Sequence, residues 1–360
     1  MNFFLFTLLL LVGCSSKYQD LHQSLDETLA IVDELYPEEP NIQKMRIAML
    51  QGLIHGVDQC ASYLNDSQIK FLLESADGSK PKLGINVAKH KDGFEIKKVF
   101  EKSAADVAGL KVGDVICEFD GQPLKELALE RFPLLIKEKK IYKLLVLRSS
   151  NKLIKEIIPD NSPSIEFKWF DNVAYLKLDF ISNDCVNQVK NYLIKINSNP
   201  KSAALILDLR DSPGGSFNAA MEIAEQFLDG HPIVEMQKKY SFSKYAASGK
   251  DVLNKLPIFV LQNSNTFSAA EIISAALKGN KRAKIIGQNS GGSATAKHVV
   301  NYPNRTDGLI IPIALLNDPN GKRIGKNGVE PDILIEETKV QKSKQRDPYI
   351  FEALRFVPNE

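Results

Sequence analysis

Two short turns in this chain hold the residue types that chemistry at a carbonyl carbon requires. Thr266-Phe267-Ser268-Ala269 lies between an apolar run and a helical pattern, which sets a hydroxyl in the first turn of a helix. A serine so placed can act as a nucleophile on a sharp turn. The helix start offers free N–H groups and a partial positive charge to a developing oxyanion. Pro213-Gly214-Gly215 occupies an equivalent junction, and its glycines allow a second backbone N–H to reach the same oxygen. The plainer reading of the same residues is that serine is a preferred N-cap and Pro-Gly-Gly a preferred loop. Residue types alone leave both open.

The elements around these turns predict where they sit. Residues 203–207 form a continuous apolar run ending in Asp208-Leu209-Arg210, as expected of a buried parallel strand. Helical patterns follow over 218–228 and 268–278, and strands over 257–261 and 283–286. This strand–helix–strand–helix–strand order predicts an α/β core from residue 165 onward, with both turns at the carboxyl edge of its sheet. Residues 82–148 have a different texture. Short strand-like runs at 83–87, 94–99, 114–119 and 142–147 are separated by glycine turns, with a short helix over 103–108. Residues 17–75 read as helices whose stripes, Leu21, Leu25, Leu29, Val32 and Leu35, then Ile47, Leu50, Ile54 and Val57, are expected to be core faces. The expected fold is therefore a multidomain α/β and α+β protein.

Composition narrows the function. Of 360 residues, 46 are Lys or Arg and 44 are Asp or Glu, a net charge of +2, which offers no general surface for nucleic acid. Residues 339–346 are a local basic run and read as a solvated segment. The five histidines are scattered without metal-ligand spacing, and no cofactor motif appears, so no metal and no organic cofactor is expected. Residues 3–12 are apolar except Thr7, too short to span a bilayer and suited to a signal-peptide core. They end in Leu11-Val12-Gly13-Cys14, which resembles the lipobox of bacterial lipoproteins. Cys14 is thus the expected lipidation site, with residues 1–13 as the signal peptide. Cys60, Cys117 and Cys185 are expected to be inert thiols.

The mature chain resembles the carboxyl-terminal processing proteases, a serine peptidase family of bacterial envelopes and plastids. Ser103-Ala104-Ala105-Asp106-Val107-Ala108-Gly109-Leu110-Lys111-Val112-Gly113-Asp114 with Asp120-Gly121-Gln122-Pro123-Leu124 is similar to a PDZ domain. Leu207-Asp208-Leu209-Arg210-Asp211-Ser212-Pro213-Gly214-Gly215, Thr266-Phe267-Ser268-Ala269-Ala270-Glu271-Ile272 and Gly328-Val329-Glu330-Pro331-Asp332-Ile333 match the protease core. The resemblance implies a helical segment over 14–80, a PDZ domain over 81–150, a serine protease core over 151–338 and a basic linker with a terminal helix over 339–360. It implies Ser268 as nucleophile and the N–H groups of Gly214, Gly215 and Ala269 as oxyanion donors. It also implies a loop at Leu83, Gly84 and Ile85 that takes the carboxylate of protein or peptide substrates with free C-termini. The implied location is the bacterial cell envelope, lipid-anchored and facing the periplasm. Ser15 after the cysteine favours the outer membrane.

One position departs from the family. Its general base is a lysine, and here that position holds Ser293, a hydroxyl with no useful basicity near neutral pH. Lys297 lies four residues on, and the period of two puts residues 293, 295 and 297 on one strand face. Lys297 is therefore the candidate base, and burial would have to lower its pKa. The competing readings are a PDZ scaffold that binds peptides without cutting them and a receptor for an apolar ligand.

Overall fold

The computed structural model describes residues 18–358, apart from 59–60, 79–81, 101–102, 128–131, 133–134, 137–139, 150, 161–164, 255, 326 and 337–346. The expected signal segment, Cys14, Cys60 and the basic run at 339–346 lie outside the described residues. The chain divides into two units, residues 1–63 and 64–360.

In the first unit lie α1 (Gln19–Leu35), α2 (Ile42–Val57) and the start of a three-residue strand, β1 (Ser62–Leu64). Asn41 caps α2, its side chain accepting from the Lys44 N–H. The helices form as the periodicity predicts, but α1 is no core face: it has no buried residue, and Leu21, Leu29 and Leu35 are exposed. In α2 only Ile54 is buried. A stripe of apolar residues specifies a helix without specifying that this chain supplies its cover.

The second unit opens with α3 (Asp66–Asp77), held by a capping box between Asn65 and Gln68. Strands β2 (Ile85–His90), β3 (Gly93–Val99), β4 (Val115–Phe119), β5 (Gln122–Pro123), β6 (Tyr142–Arg148) and β7 (Asn151–Ile157) follow, with the short helix α4 (Ala104–Val107) after β3. They form an antiparallel sheet in the order β2-β3-β4-β6-β7, with β5 beside β4. Phe94, Ile96, Ile116, Leu144 and Val146 fill its core. The buried carboxylate of Asp114 accepts from Arg148 Nε at 2.7 Å, Arg148 Nη2 at 2.8 Å and the Lys111 N–H at 2.8 Å, which pins the turn before β4.

The rest of the unit is layered. Strands β8 (Ile165–Phe170), β9 (Val173–Leu178), β10 (Ala204–Asp208), β13 (Ile258–Gln262), β14 (Lys284–Gly287) and β17 (Ile333–Leu334) line up in the order β17-β14-β13-β10-β9-β8. All pairings are parallel except β8–β9. Leu205 and Leu207 of β10 face a core shared with α5 (Asn183–Asn197), α6 (Phe217–Glu225) and α7 (Ala269–Gly279). Ala204 and Ile206 face Tyr349 and Ala353 of the terminal helix α8 (Pro348–Arg355). Cover on both faces is why β10 reads as an unbroken apolar run. A second, antiparallel arrangement joins β11 (Pro232–Lys238), β12 (Phe242–Ala246), β15 (Thr295–Asn301) and β16 (Gly308–Asn317), with β15 and β11 both beside β16 and β12 beside β11.

Candidate active site

The two turns noted in the sequence meet because their strands are neighbours. β10 and β13 pair in parallel with Asp208 opposite Leu261, so residues 209–216 and 263–268 leave the sheet side by side. Hydrogen bonds then join the turns. Asn263 Nδ2 and Asn265 Nδ2 donate to Asp211 Oδ1 at 2.9 and 3.1 Å, and the Asp211 N–H donates to Asn263 Oδ1 at 3.1 Å. Buried Thr266 donates its hydroxyl to the Leu209 carbonyl at 2.9 Å, and the Phe267 N–H donates to the Ser212 carbonyl at 2.9 Å.

Ser268 sits at the tip with φ 53° and ψ −116°, a backbone conformation that L residues rarely adopt. Such strain persists only where the surroundings over-determine it, and it clusters at functional sites. Here the surroundings are Glu271. Its fully buried carboxylate accepts from the Ser268 N–H at 2.8 Å and the Ser293 N–H at 2.9 Å through Oε2. Through Oε1 it accepts from Ser290 Oγ at 2.6 Å and the Gly292 N–H at 2.7 Å. One side chain thus clamps the serine turn to the segment that enters β15. Ser268 and Glu271 form a capping box at the start of α7, so the N-cap reading of Ser268 and its place at the cavity hold together. Glu271 is the functional residue that sequence reasoning passed over. Its only signal was a buried acid three residues into an otherwise apolar helix.

Gly214 packs directly on this turn. A Cβ built there would lie 2.7 Å from the Ala269 nitrogen and 2.9 Å from Ser268 Cβ, and its φ is +93°. No side chain fits, and the close approach sets two backbone segments around the serine. Among the described residues, no hydrogen-bond acceptor takes the N–H groups of Gly214, Gly215 or Ala269. Free donors beside a hydroxyl at a helix N-terminus are what oxyanion stabilisation uses.

A cavity of about 750 Å³ opens over Ser268. Ala269, Gly215, Ser293 and Lys297 lie on its wall, and so do Leu83, Gly84 and Ile85. Gly214 abuts the site from behind without lining the cavity. None of the five histidines is on the wall. Lys297, on β15, is solvent-exposed, where the base role calls for a buried amine. A second amine on the wall, Lys82, was not singled out by sequence. Burial pushes its pKa down, opposed by the charges of Asp184 and Cys185. Its Nζ lies 5.0 Å from the Phe180 ring centre. Cys117 and Cys185 are free thiols, and burial raises the pKa of both, that of Cys185 to about 11. Neither lines the cavity.

Two regions of the chain match known family models. Residues 172–335 match peptidase family S41, and residues 73–147 match the PDZ domain. Among relatives, a carboxy-terminal-processing protease of Bartonella bacilliformis is 26% identical over 330 residues, covering 87% of this chain and 74% of that protein. A protein of Staphylococcus aureus named a CtpA-like serine protease is 25% identical over 342 residues, covering 91% of this chain and 68% of its own length. The fold is shared with a photosystem II D1 C-terminal processing protease at a TM-score of 0.62 and 22% identity, covering 88% of this chain and 87% of that one. The segment with Ser268 and the Pro-Gly-Gly turn both fall inside the region that matches peptidase family S41.

Proposed function

We propose that this chain is a serine endopeptidase that takes protein C-termini through its PDZ domain and works from a lipid anchor at the bacterial envelope. The observation that carries the reading is Ser268 itself. It is a strained residue at a helix N-terminus, with Gly214 pressed against it and three unbound N–H groups around it. In the reaction Ser268 Oγ adds to the substrate carbonyl carbon and loses its proton to an amine. The oxyanion rests on the N–H groups of Ala269 and of Gly214 or Gly215. The C–N bond breaks as that proton passes to the departing nitrogen. Water then hydrolyses the ester, releasing a new carboxylate and restoring the serine.

Lys297 is the candidate base from its place on the cavity wall, and half-buried Lys82 is the other amine there. Labelling with a serine-directed fluorophosphonate tests the nucleophile: wild type should be labelled and Ser268→Ala should not. Labelling of both alike would defeat the assignment. With Lys82 as base, burial holds the amine below the ordinary lysine value, and turnover should rise with pH through that lowered value. Of Lys297→Ala and Lys82→Met, the one that removes the base should cost as much turnover as Ser268→Ala.

A second reading, a PDZ scaffold that binds without cutting, is favoured by Ser293 at the family's lysine position together with the exposure of Lys297. Under that reading wild type is inert, and Ser293→Lys alone switches cleavage on. The anchor has its own test. Palmitate labelling should be lost in Cys14→Ser, and the wild-type protein should fractionate with outer membranes.

A further inference from the structure

The hairpin of β11 and β12 carries side chains that the core does not use. From Ile233 to Met236 every residue of β11 is buried, and from Gln237 to Ala246 every residue except Ser243 is exposed. The two strands therefore run out of the core and into solvent. The Lys238 N–H donates to the Ser241 carbonyl at 2.8 Å and sets Lys239 and Tyr240 at the tip. Tyr240 is 88% exposed and Phe242 52%. Tyr245, nearer the base, is braced by Phe217, whose ring meets it edge-on at 6.4 Å. Lysines surround these rings. Residues 238–250 hold Lys238, Lys239, Lys244 and Lys250, with neither an acid nor an arginine. The Nζ atoms of Lys239 and Lys244 lie 5.0 and 5.7 Å from the ring centres of Tyr240 and Phe242. Lys244 also meets Glu235 at 2.6 Å, one carboxylate against four amines, so the hairpin stays positive.

A lone exposed ring or surface lysine needs no explanation. Rings and lysines together on one projecting hairpin have a matching counterpart. Aromatic rings settle at the headgroup level of a bilayer, and lysines beside them reach anionic lipid. Nucleic acid, the other polyanion, fits less well: the patch has no arginine to fork onto phosphate or base, and the chain's net charge is only +2. We propose that the hairpin at 237–246 docks on an anionic phospholipid bilayer, with Tyr240 and Phe242 among the headgroups and the lysines on their phosphates. This contact is separate from the proposed lipid at Cys14 and does not depend on it. Its consequence is for the site. Phe242 lies opposite Gln237, Gln237 opposite Leu315 and Leu315 opposite Thr295, which is on the cavity wall. Three strand spacings of about 4.8 Å put the hairpin about 14 Å from that wall. Docking thus holds the cavity beside the membrane surface instead of leaving it at the end of a tether.

Vesicle sedimentation tests this with the expected mature polypeptide from Ser15 onward, which carries neither signal nor lipid. It should pellet with vesicles of phosphatidylethanolamine and phosphatidylglycerol and stay in solution with phosphatidylcholine alone. Lys238→Gln with Lys239→Gln should weaken partitioning about 25-fold, from a gain of about fivefold per lysine. Tyr240→Ser with Phe242→Ser should weaken it several-fold and remove the part that survives high salt. All four positions are exposed, so the melting temperature should not change. Amide exchange over 238–246 should slow on the anionic vesicles while that of β10 stays as it was. No binding by the wild-type polypeptide would overturn the proposal. Binding by both double variants at wild-type strength would overturn it too, and would point to another basic segment such as 339–346. If those variants bind vesicles normally but raise KM for an unfolded protein substrate, the hairpin is a substrate dock and the proposal fails. The vesicle readouts need no turnover, so loss of the peptidase reading would leave them standing.

Discussion

At the site of the strained serine, two neighbours do most of the work, and each predicts a distinct defect. Gly214→Ala puts a Cβ 2.7 Å from the Ala269 nitrogen at a φ of +93°. The turn must shift, and the Ala269 N–H, a proposed oxyanion donor, moves with it. Loss of one such donor costs about 10²–10³ in turnover, and the backbone strain costs about 1–3 kcal/mol of stability. Kinetics on an unstructured protein substrate with a urea titration would separate the two. Glu271 acts on Ser268 through the backbone and is a positioning residue. Glu271→Gln replaces one acceptor oxygen by an NH₂ that faces two donors, and each unsatisfied buried donor costs about 1–3 kcal/mol. The expected result is a less stable protein with slower fluorophosphonate labelling. Glu271→Asp, which keeps the acceptors but shortens their reach, should recover part of both. Labelling of Glu271→Gln at the wild-type rate would show that the clamp does not position the hydroxyl.

The elements explain why so much of this site was legible and where legibility stopped. β10, β13 and β14 lie within one residue of their predicted ends, because burial on both sheet faces writes a continuous apolar run into sequence. Helices α6 and α7 were found from their 3.6-residue period, though α6 ends three residues short of its pattern. The start of β2 was placed two residues early, since Leu83 looks like strand but precedes a glycine in the left-handed region. The antiparallel sheet of β11, β12, β15 and β16 was foreseen only at residues 293–297. Its strands are half-exposed, and their pairing depends on partners far away in sequence. Glu271 was hidden for the same reason, since three of its four donors come from residues 290–293.

A further long-range tie is visible only in three dimensions. Asp208, at the end of β10, is fully buried and pairs with Arg210, which also reaches Asp347 at the cap of α8. Burial works to raise the Asp208 pKa, but Arg210 and Lys177 outweigh it and hold the carboxyl below its ordinary value. Its stabilising contribution is then fully present above the unfolded value of about 3.9 and is lost as pH falls through the lower folded value. Asp208→Asn should cost about 1–3 kcal/mol at neutral pH, below the cost of a wholly unpaired buried charge because Arg210 keeps Asp347. Below pH 4 the gap to wild type should close. A gap that stays constant down to the acid transition would mean the pair contributes nothing.

For the molecule as a whole, the question is what holds a peptide-binding module in register with a protease core. One carboxylate ties the two regions together. Asp179, just past β9, meets Lys98 of β3 at 2.9 Å and Lys177 of β9 at 3.2 Å, with all three side chains no more than 22% exposed. Burial pulls the Lys98 pKa down and Asp179 only partly restores it, so this ammonium depends on its partner. Asp179→Asn leaves two cations facing each other in a poorly solvated seam. The cost should be about 1–3 kcal/mol, below that of a fully buried pair because some solvent reaches the seam. If the seam sets register, the damage is local. Amide exchange in β2 and β3 should quicken about ten- to a hundredfold while β10 and β13 keep their protection, because a local opening need not unfold the whole. Lys98→Met in the same background should add little further loss, since its partner is already gone. A double-mutant cycle reads that coupling directly, and groups in contact give about 0.5–3 kcal/mol. A coupling of zero would mean that the PDZ domain is held by its apolar contacts alone. The distance between the carboxylate loop and Ser268 would then owe nothing to this charge cluster.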